Sequence, residues 1–201
     1  IRYFTNESYV GEIAVINTHE FSEALVLDRL WYTHWGAVTI RNEPAFSVGK
    51  GFVFRPTVDA NSSINSHSFP QVELVGLADA VHIDTSIAQI NTIKMEGSIE
   101  ACTNGVTYVD GLGINEADFR FHMEGNVRNV HWVGTSAGGS GLIKWSGTWN
   151  DTADGDIKLG SSNHYITARM VGSVDLYKWG TAKVSLIGGS VTDKGGTTGT
   201  E

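Results

Sequence analysis

The sequence has few of the residues that define several common protein classes. One of its 201 residues is cysteine, Cys102, and three are proline. A single cysteine excludes a framework of intrachain disulfides, so packing or association with other chains must stabilise the fold. No apolar run approaches the ~20 residues that a membrane-spanning helix needs, and no signal peptide is visible. We therefore expect no membrane insertion.

Basic clusters and cofactor motifs are missing as well. The chain has 14 Lys and Arg against 22 Asp and Glu, a net charge of −8. No basic run resembles a phosphate-binding patch, so nucleic acid is not an expected partner. There is no dinucleotide fingerprint, phosphate loop or nucleophile elbow, and the histidines have no metal-ligand spacing with Cys102 or with one another. The sequence predicts neither a cofactor nor a metal site.

Glycine, in contrast, is abundant and follows a repeat. A pattern of an apolar residue, any residue, glycine, commonly a small polar residue and an apolar residue recurs six times among the 24 glycines. It is centred on Gly76, Gly97, Gly125, Gly147, Gly172 and Gly189, with spacings of 21, 28, 22, 25 and 17 residues. A repeat of about 22 residues with insertions is typical of the coils of a β-solenoid.

The residues around these glycines alternate in polarity. The positions four before, two before and two after each glycine are apolar in 17 of 18 cases, and the positions between them are mostly charged or polar. This period of two is typical of a strand with one buried face. It predicts an all-β, right-handed parallel β-helix in which the six glycines share one column. A β-sandwich or jelly roll of antiparallel strands is the alternative.

The repeat divides the chain into three regions. Residues 1–50 fit it less well and are interpreted as an N-terminal cap or irregular first coils. Within them, residues 18–31 form a short helix or, alternatively, residues 24–27 and 36–40 form strands of earlier coils. Residues 51–192 are the predicted β-helix, with a polar loop at 59–69. Residues 193–201 are a flexible tail or linker.

The repeat resembles a known family. Coils such as MEGSIE at 95–100, MEGNVRNV at 123–130 and MVGSVDL at 170–176 resemble the parallel β-helices of phage tailspikes, capsule depolymerases and secreted polysaccharide lyases. The resemblance implies a homotrimer of the virion tail or extracellular space that binds a bacterial surface polysaccharide, and cleavage of the glycan by acidic residues. The alternatives are a secreted monomeric lyase or glycosidase and a non-enzymatic stalk or capsid protein.

Glu96 and Glu124 are the candidate catalytic residues. Alignment on the glycines puts both in one column on successive coils, which lie about 4.8 Å apart. Two carboxylates so close raise the pKa of one of them, which provides an acid and a base for glycoside hydrolysis. The alternative is that both are solvated partners of Lys94 and His122 in a charge ladder.

Five residues are candidates for substrate binding. Lys94, His122, Lys144 and Arg169 each lie three residues before a repeat glycine, so the alignment makes them an ordered basic row. Such a row suits an acidic polysaccharide, although ordinary surface polarity is the alternative. Trp132 lies near a turn, where an aromatic ring can stack on a sugar or become buried between subunits.

Overall fold

The structure, a computed structural model, contains β-strands and no α-helix in the residues that it describes. These are residues 2–4, 8–17, 22–42, 49–56, 64–65, 67–109, 111–133, 142–150, 157–159, 163–167, 169–171, 173–178, 183–184 and 190–193. The strands are β1 (Arg2–Phe4), β2 (Ser8–Val10), β3 (Ile13–Asn17), β4 (Glu23–Leu30), β5 (Thr33–Trp35), β6 (Ala37–Asn42), β7 (Lys50–Phe54), β8 (His67–Val75), β9 (Asp79–Asp84), β10 (Ile90–Glu100), β11 (Asn104–Val109), β12 (Ile114–Glu124), β13 (Arg128–Val133), β14 (Leu142–Asn150), β15 (Ile157–Leu159), β16 (Asn163–Ile166), β17 (Arg169–Val171), β18 (Ser173–Lys178), β19 (Lys183–Val184) and β20 (Ser190–Asp193).

The strands form two parallel sheets. The short-strand sheet has the order β1-β4-β7-β9-β11-β13-β15-β18-β20, and the long-strand sheet has the order β2-β5-β8-β10-β12-β14-β16-β19. Strand β6 joins the long-strand sheet between β3 and β8, and β17 pairs with β14. From β7 to β15 the chain alternates between the sheets, so each strand pairs with the strand one coil away. This is a β-solenoid, and it confirms the predicted parallel β-helix over the sandwich or jelly roll.

The core lies between the two sheets and is built from the alternation seen in the sequence. In β10, Ile93 and Met95 are buried, whereas Lys94 and Glu96 are exposed. Inward residues of successive coils stack in columns, one of which runs Phe69, Met95, Phe119, Trp145. The Phe119 and Trp145 rings lie 4.8 Å apart between centroids. Trp145 and Trp149 are buried, which confirms their predicted place in the core.

The prediction that the six glycines share one column is wrong for the four that the structure describes, and Gly172 and Gly189 lie outside the described residues. Gly76 and Gly125 follow the ends of β8 and β12, with φ angles of 69° and 65°. Gly97 and Gly147, however, lie within β10 and β14, and both are in register with Phe121. The motif therefore occurs in two different places of the coil.

Ala101 explains the error. Its φ is 53°, and it takes the turn position that Gly76 and Gly125 hold in the neighbouring coils. The N–H of Gly76 donates to the Glu100 carbonyl at 3.0 Å, and the N–H of Ala101 donates to the Glu124 carbonyl at 2.9 Å. Gly76, Ala101 and Gly125 are thus 25 and 24 residues apart, and coils of the central region are longer than the predicted 22 residues.

The N-terminal region consists of earlier coils rather than a helical cap in its described part. Glu23–Leu30 and Ala37–Asn42 are strands paired into the two sheets, so the strand alternative is confirmed and the helix at 18–31 is wrong over residues 23–30. The predicted loop at 59–69 is also wrong at its end, because residues 67–69 begin β8. Residues 59–63 and 66, and the tail beyond Asp193, lie outside the described residues. A helix with the length and hydropathy to cross a membrane is not found in the described part of the chain.

Candidate functional site on the outer face of the long-strand sheet

The outward side chains of the long-strand sheet lie in columns that cross successive coils. We define the first outer column as Tyr9, His34, Ser68, Lys94, Asp118 and Lys144, which are in register from β2 to β14. The second outer column runs beside it through Glu96, Arg120 and Ser146. Adjacent members of a column are about 4.8 Å apart, as in any β-sheet. The face therefore presents regularly spaced polar groups along the solenoid.

A charged patch occupies the centre of this face. We define it as Lys94, Glu96, Asp118, Arg120 and Lys144. Arg120 donates from Nη2 to Asp118 Oδ2 at 3.0 Å and from Nε to Oδ1 at 3.4 Å. These hydrogen bonds raise the pKa of Arg120 above its usual value. The signs alternate both along and across the strands, because Lys94 is opposite Asp118 and Glu96 is opposite Arg120.

Two depressions flank the Asp118–Arg120 pair, which lines both of them. The smaller one, of about 190 Å³, is also lined by Lys94 and Glu96. The larger one, of about 620 Å³, is lined in addition by Leu142, Lys144, Ser146 and Thr167. The volume of the larger depression lies within the ~300–1,000 Å³ of typical small-molecule sites. The outer face thus has room for a ligand where its charges are concentrated.

The ion pairs of this face contribute little to stability. The side chain of Arg120 is 60% exposed, and that of Lys144, which lies 3.3 Å from Glu116, is 48% exposed. Exposed pairs of this kind contribute little to the free energy of unfolding, because water and salt screen them. Such side chains can therefore exchange a protein partner for a ligand at little cost in folding free energy.

The structure separates the predicted catalytic pair. Glu96 is in register with Arg120, and Glu124 is in register with Glu100. The two glutamates are therefore offset by four residues, or about 13 Å along the strand direction, and the prediction that they share a column is wrong. The cause is the turn at Ala101, which the glycine alignment missed. Glu124 instead lies 3.3 Å from His122 on its own strand.

The predicted basic row is divided between columns. Lys94 and Lys144 belong to the first outer column, with Asp118 between them. His122 lies in another column, in register with Thr148, which is in register with Arg169. The prediction that the four cations form a single row is therefore wrong, because it depended on the same alignment of the repeat glycines.

Trp132 lies in the opposite sheet from these cations. It belongs to β13 and is in register with Tyr108 of the short-strand sheet. The side chains of Trp132 and Arg169 lie outside the described residues. The structure therefore brings together Lys94, Glu96 and Lys144 among the predicted site residues.

Asp118 and Arg120 were missed as site residues. Alignment of Ile99 with Met123, which the strand register supports, would have revealed them. In that alignment the sequence Lys94-x-Glu96 lies against Asp118-x-Arg120 with the charges reversed, a pattern typical of paired strands.

A second polar cluster, also missed, lies on the short-strand sheet. Asp79 Oδ1 accepts hydrogen bonds from Asn104 Nδ2 and from Thr107 Oγ1, each at 2.7 Å. Its Oδ2 lies 3.1 Å from His82 Nδ1, and His82 Nε2 lies 3.1 Å from Lys50 Nζ. Because a lysine ammonium only donates, His82 accepts at Nε2 and donates from Nδ1. The cluster connects three coils, since Lys50, Asp79 and Asn104 lie on β7, β9 and β11.

These hydrogen bonds change the acidity of Asp79. Burial by itself would raise the pKa of Asp79, but the hydrogen bonds from His82, Thr107 and Asn104 outweigh it and lower the pKa from 3.8 to about 2. The signal in the sequence is a spacing of three that recurs from coil to coil: Asp79 and His82 on β9, Asn104 and Thr107 on β11. Because the pKa of Asp79 is lowered in the folded state, the cluster stabilises the fold by an amount that depends on pH and can be measured by unfolding at several pH values.

Within the described residues, no group of three or more His, Cys, Asp and Glu side chains is arranged to hold a metal ion. The buried Cys102 is a poor ligand or nucleophile in this state, because burial raises the pKa of its thiol to about 12. Comparison of the chain with protein-family models, curated proteins and solved structures gave no match.

Proposed function

We propose that the chain is a segment of a phage tailspike or fibre that binds an extended bacterial surface polysaccharide on the outer face of the long-strand sheet. The observation that carries this proposal is the larger depression, of about 620 Å³, which members of both outer columns line. It combines two cations, one carboxylate and two hydroxyl side chains with the partly exposed Leu142.

The chemistry of this lining suits a sugar. Each sugar hydroxyl is both a donor and an acceptor, and it needs partners of both kinds. Arg120 and Lys144 donate, and Asp118 accepts. The Ser146 hydroxyl does either, and the Thr167 hydroxyl, which donates to the Trp145 carbonyl at 3.4 Å, accepts. Solenoids commonly use such extended surfaces for long ligands, and the first outer column continues beyond the depression through Lys94 and Ser68 towards the N-terminal coils.

The same proposal includes a homotrimer on the virion tail or elsewhere outside the cell. Support comes from the resemblance of the repeat to tailspikes and from Ile87 and Leu112. These two side chains are each 47% exposed, and they lie on successive coils where the chain enters β10 and β12. We propose that they form part of the contact between subunits. Light scattering after size-exclusion chromatography tests the trimer, and a stable monomer would contradict it.

Binding is tested with a panel of purified capsular polysaccharides and lipopolysaccharide glycans, measured by affinity electrophoresis and calorimetry. A Ser146→Tyr variant should lose binding, because the added ring fills the larger depression. A Gln71→Tyr variant is the matched control, since Gln71 is exposed on β8 of the same sheet and lines neither depression. Binding of no glycan in the panel, by a chain that is folded by circular dichroism, would favour a structural stalk.

Cleavage of the glycan is a second candidate function. The observation in its favour is that carboxylates from adjacent strands, Glu96 and Asp118, line the smaller depression together. Paired carboxyl groups at a sugar are the groups that glycoside hydrolysis uses. Size-exclusion chromatography of the bound glycan should show shortened chains with the native protein and none with Glu96→Gln. The Glu124→Gln control should retain cleavage, and cleavage by Glu96→Gln would remove this assignment.

A further inference from the structure

We infer that the larger depression selects an acidic sugar, whose carboxylate is bound by Arg120 and Lys144. This inference rests on the proposed polysaccharide binding and adds the chemical class of the sugar. The argument starts from charge. The residues that line the larger depression include two cations and one carboxylate, although the chain as a whole carries a net charge of −8.

The smaller depression provides the comparison. It is lined by Lys94 and Arg120 and by Glu96 and Asp118, so its formal charges cancel. Among the lining residues, cations outnumber carboxylates only in the larger depression; Glu116, which pairs with Lys144, lies outside that lining. A local excess of cations attracts an anionic ligand, even on a chain whose net charge is negative.

The geometry brings donors to one place. Ser146 is in register with Arg120, and Lys144 lies two residues before Ser146 on the same face of β14. Asp118 occupies the Nε and Nη2 groups of Arg120, which leaves Nη1, and Glu116 occupies one of the three donors of Lys144. Together with the Ser146 hydroxyl, these remaining donors match the two oxygens of a carboxylate, which accept about four hydrogen bonds.

Asp118 has a positioning role in this arrangement. Its two hydrogen bonds hold the guanidinium of Arg120 between the two depressions. Its own negative charge balances one of the two cations, so the depression accommodates a single anionic group better than a cluster of them. We therefore expect a polysaccharide with isolated acidic sugars rather than a densely sulfated or phosphorylated polymer.

The test compares each acidic polysaccharide of the panel with its carboxyl-reduced form, which has the same backbone without the charge. Native polymer should bind at least about tenfold more tightly, because hydrogen bonds between charged partners are stronger than those between neutral ones. Lys144→Gln should remove most of this preference, because it should weaken binding of the native polymer much more than binding of the reduced polymer. Arg41→Gln is the matched control: Arg41 is an exposed cation of the same sheet that pairs with Glu73 and lines neither depression.

The outcomes separate the two proposals. Equal binding of native and reduced polymers would overturn the acidic-sugar inference and leave the polysaccharide proposal in place. If Lys144→Gln does not reduce the preference for native over reduced polymer, the acidic sugar does not bind in the larger depression. Tightest binding of a sulfated or phosphorylated polymer would contradict the selection of a carboxylate, and binding of no glycan would overturn both proposals. Lys144 is half exposed, so the variant should fold, which circular dichroism checks.

Discussion

Acid should destabilise this protein in part through Asp79, and Asp79→Asn should remove that part. The folded-state pKa of Asp79 is lowered from 3.8 to about 2 by its hydrogen bonds to His82, Thr107 and Asn104. A carboxyl group whose pKa is lower in the folded state stabilises the fold while it is ionised. That stabilisation is complete above the unfolded-state pKa and is lost as the pH falls through the folded-state value.

The size of the effect follows from the shift. A difference of about 1.8 units, at 1.36 kcal/mol per unit, corresponds to about 2.4 kcal/mol of unfolding free energy. About 2 kcal/mol of this should be lost between roughly pH 5 and pH 2. Other carboxylates titrate in the same range, so the informative quantity is the difference between the native chain and Asp79→Asn.

Urea unfolding at several pH values, followed by tryptophan fluorescence and circular dichroism, measures this difference. Asp79→Asn should be less stable by about 1.5–3 kcal/mol near neutral pH, because hydrogen bonds to a charged acceptor are lost, and it should approach the native chain at low pH. Glu124→Gln is the control, since its side chain is 56% exposed and such changes cost at most about 0.5 kcal/mol. Parallel pH profiles for the native chain and Asp79→Asn would refute the reasoning.

Two further predictions concern the backbone. Gly97→Ala should destabilise the chain by at least ~3 kcal/mol in the same assay, because a Cβ there would lie 1.8 Å from the carbonyl oxygen of Val72. Gly11→Ala, where nothing lies within 4 Å, should cost less than ~0.5 kcal/mol, and equal effects of the two changes would contradict the close approach of the coils. Ala101→Gly should leave stability unchanged or raise it by up to ~1 kcal/mol, since glycine adopts positive φ without strain. A clear loss of stability in Ala101→Gly would mean that the turn does not have this conformation.

The sequence predicts the β-solenoid because its alternation is a direct consequence of burial. Strands that bury one face need apolar residues at every second position, and Ile93 and Met95 satisfy this between the exposed Lys94 and Glu96. A repeat near the length of one coil then favours stacking over a sandwich. Neither inference needs the position of any particular turn.

The candidate site, in contrast, depends on the register of neighbouring strands. Glycine was a reasonable marker for the turns, because positive φ favours it. Ala101, however, occupies one turn, and Gly97 lies within a strand for a different reason, the closeness of the Val72 backbone. A shift of four residues in one coil was enough to pair Glu96 with Glu124 instead of Arg120. The Asp79 cluster was missed because its members come from three coils.

The register of the outer face can be tested directly by disulfide trapping in a Cys102→Ser background. The structure predicts that Glu96→Cys and Arg120→Cys, which are neighbours about 4.8 Å apart, form a disulfide on mild oxidation. The pair Glu96→Cys and Glu124→Cys, about 13 Å apart along the strands, should stay reduced. Efficient trapping of the second pair and not the first would contradict the columns from which the charged patch, both depressions and the proposed glycan site are built.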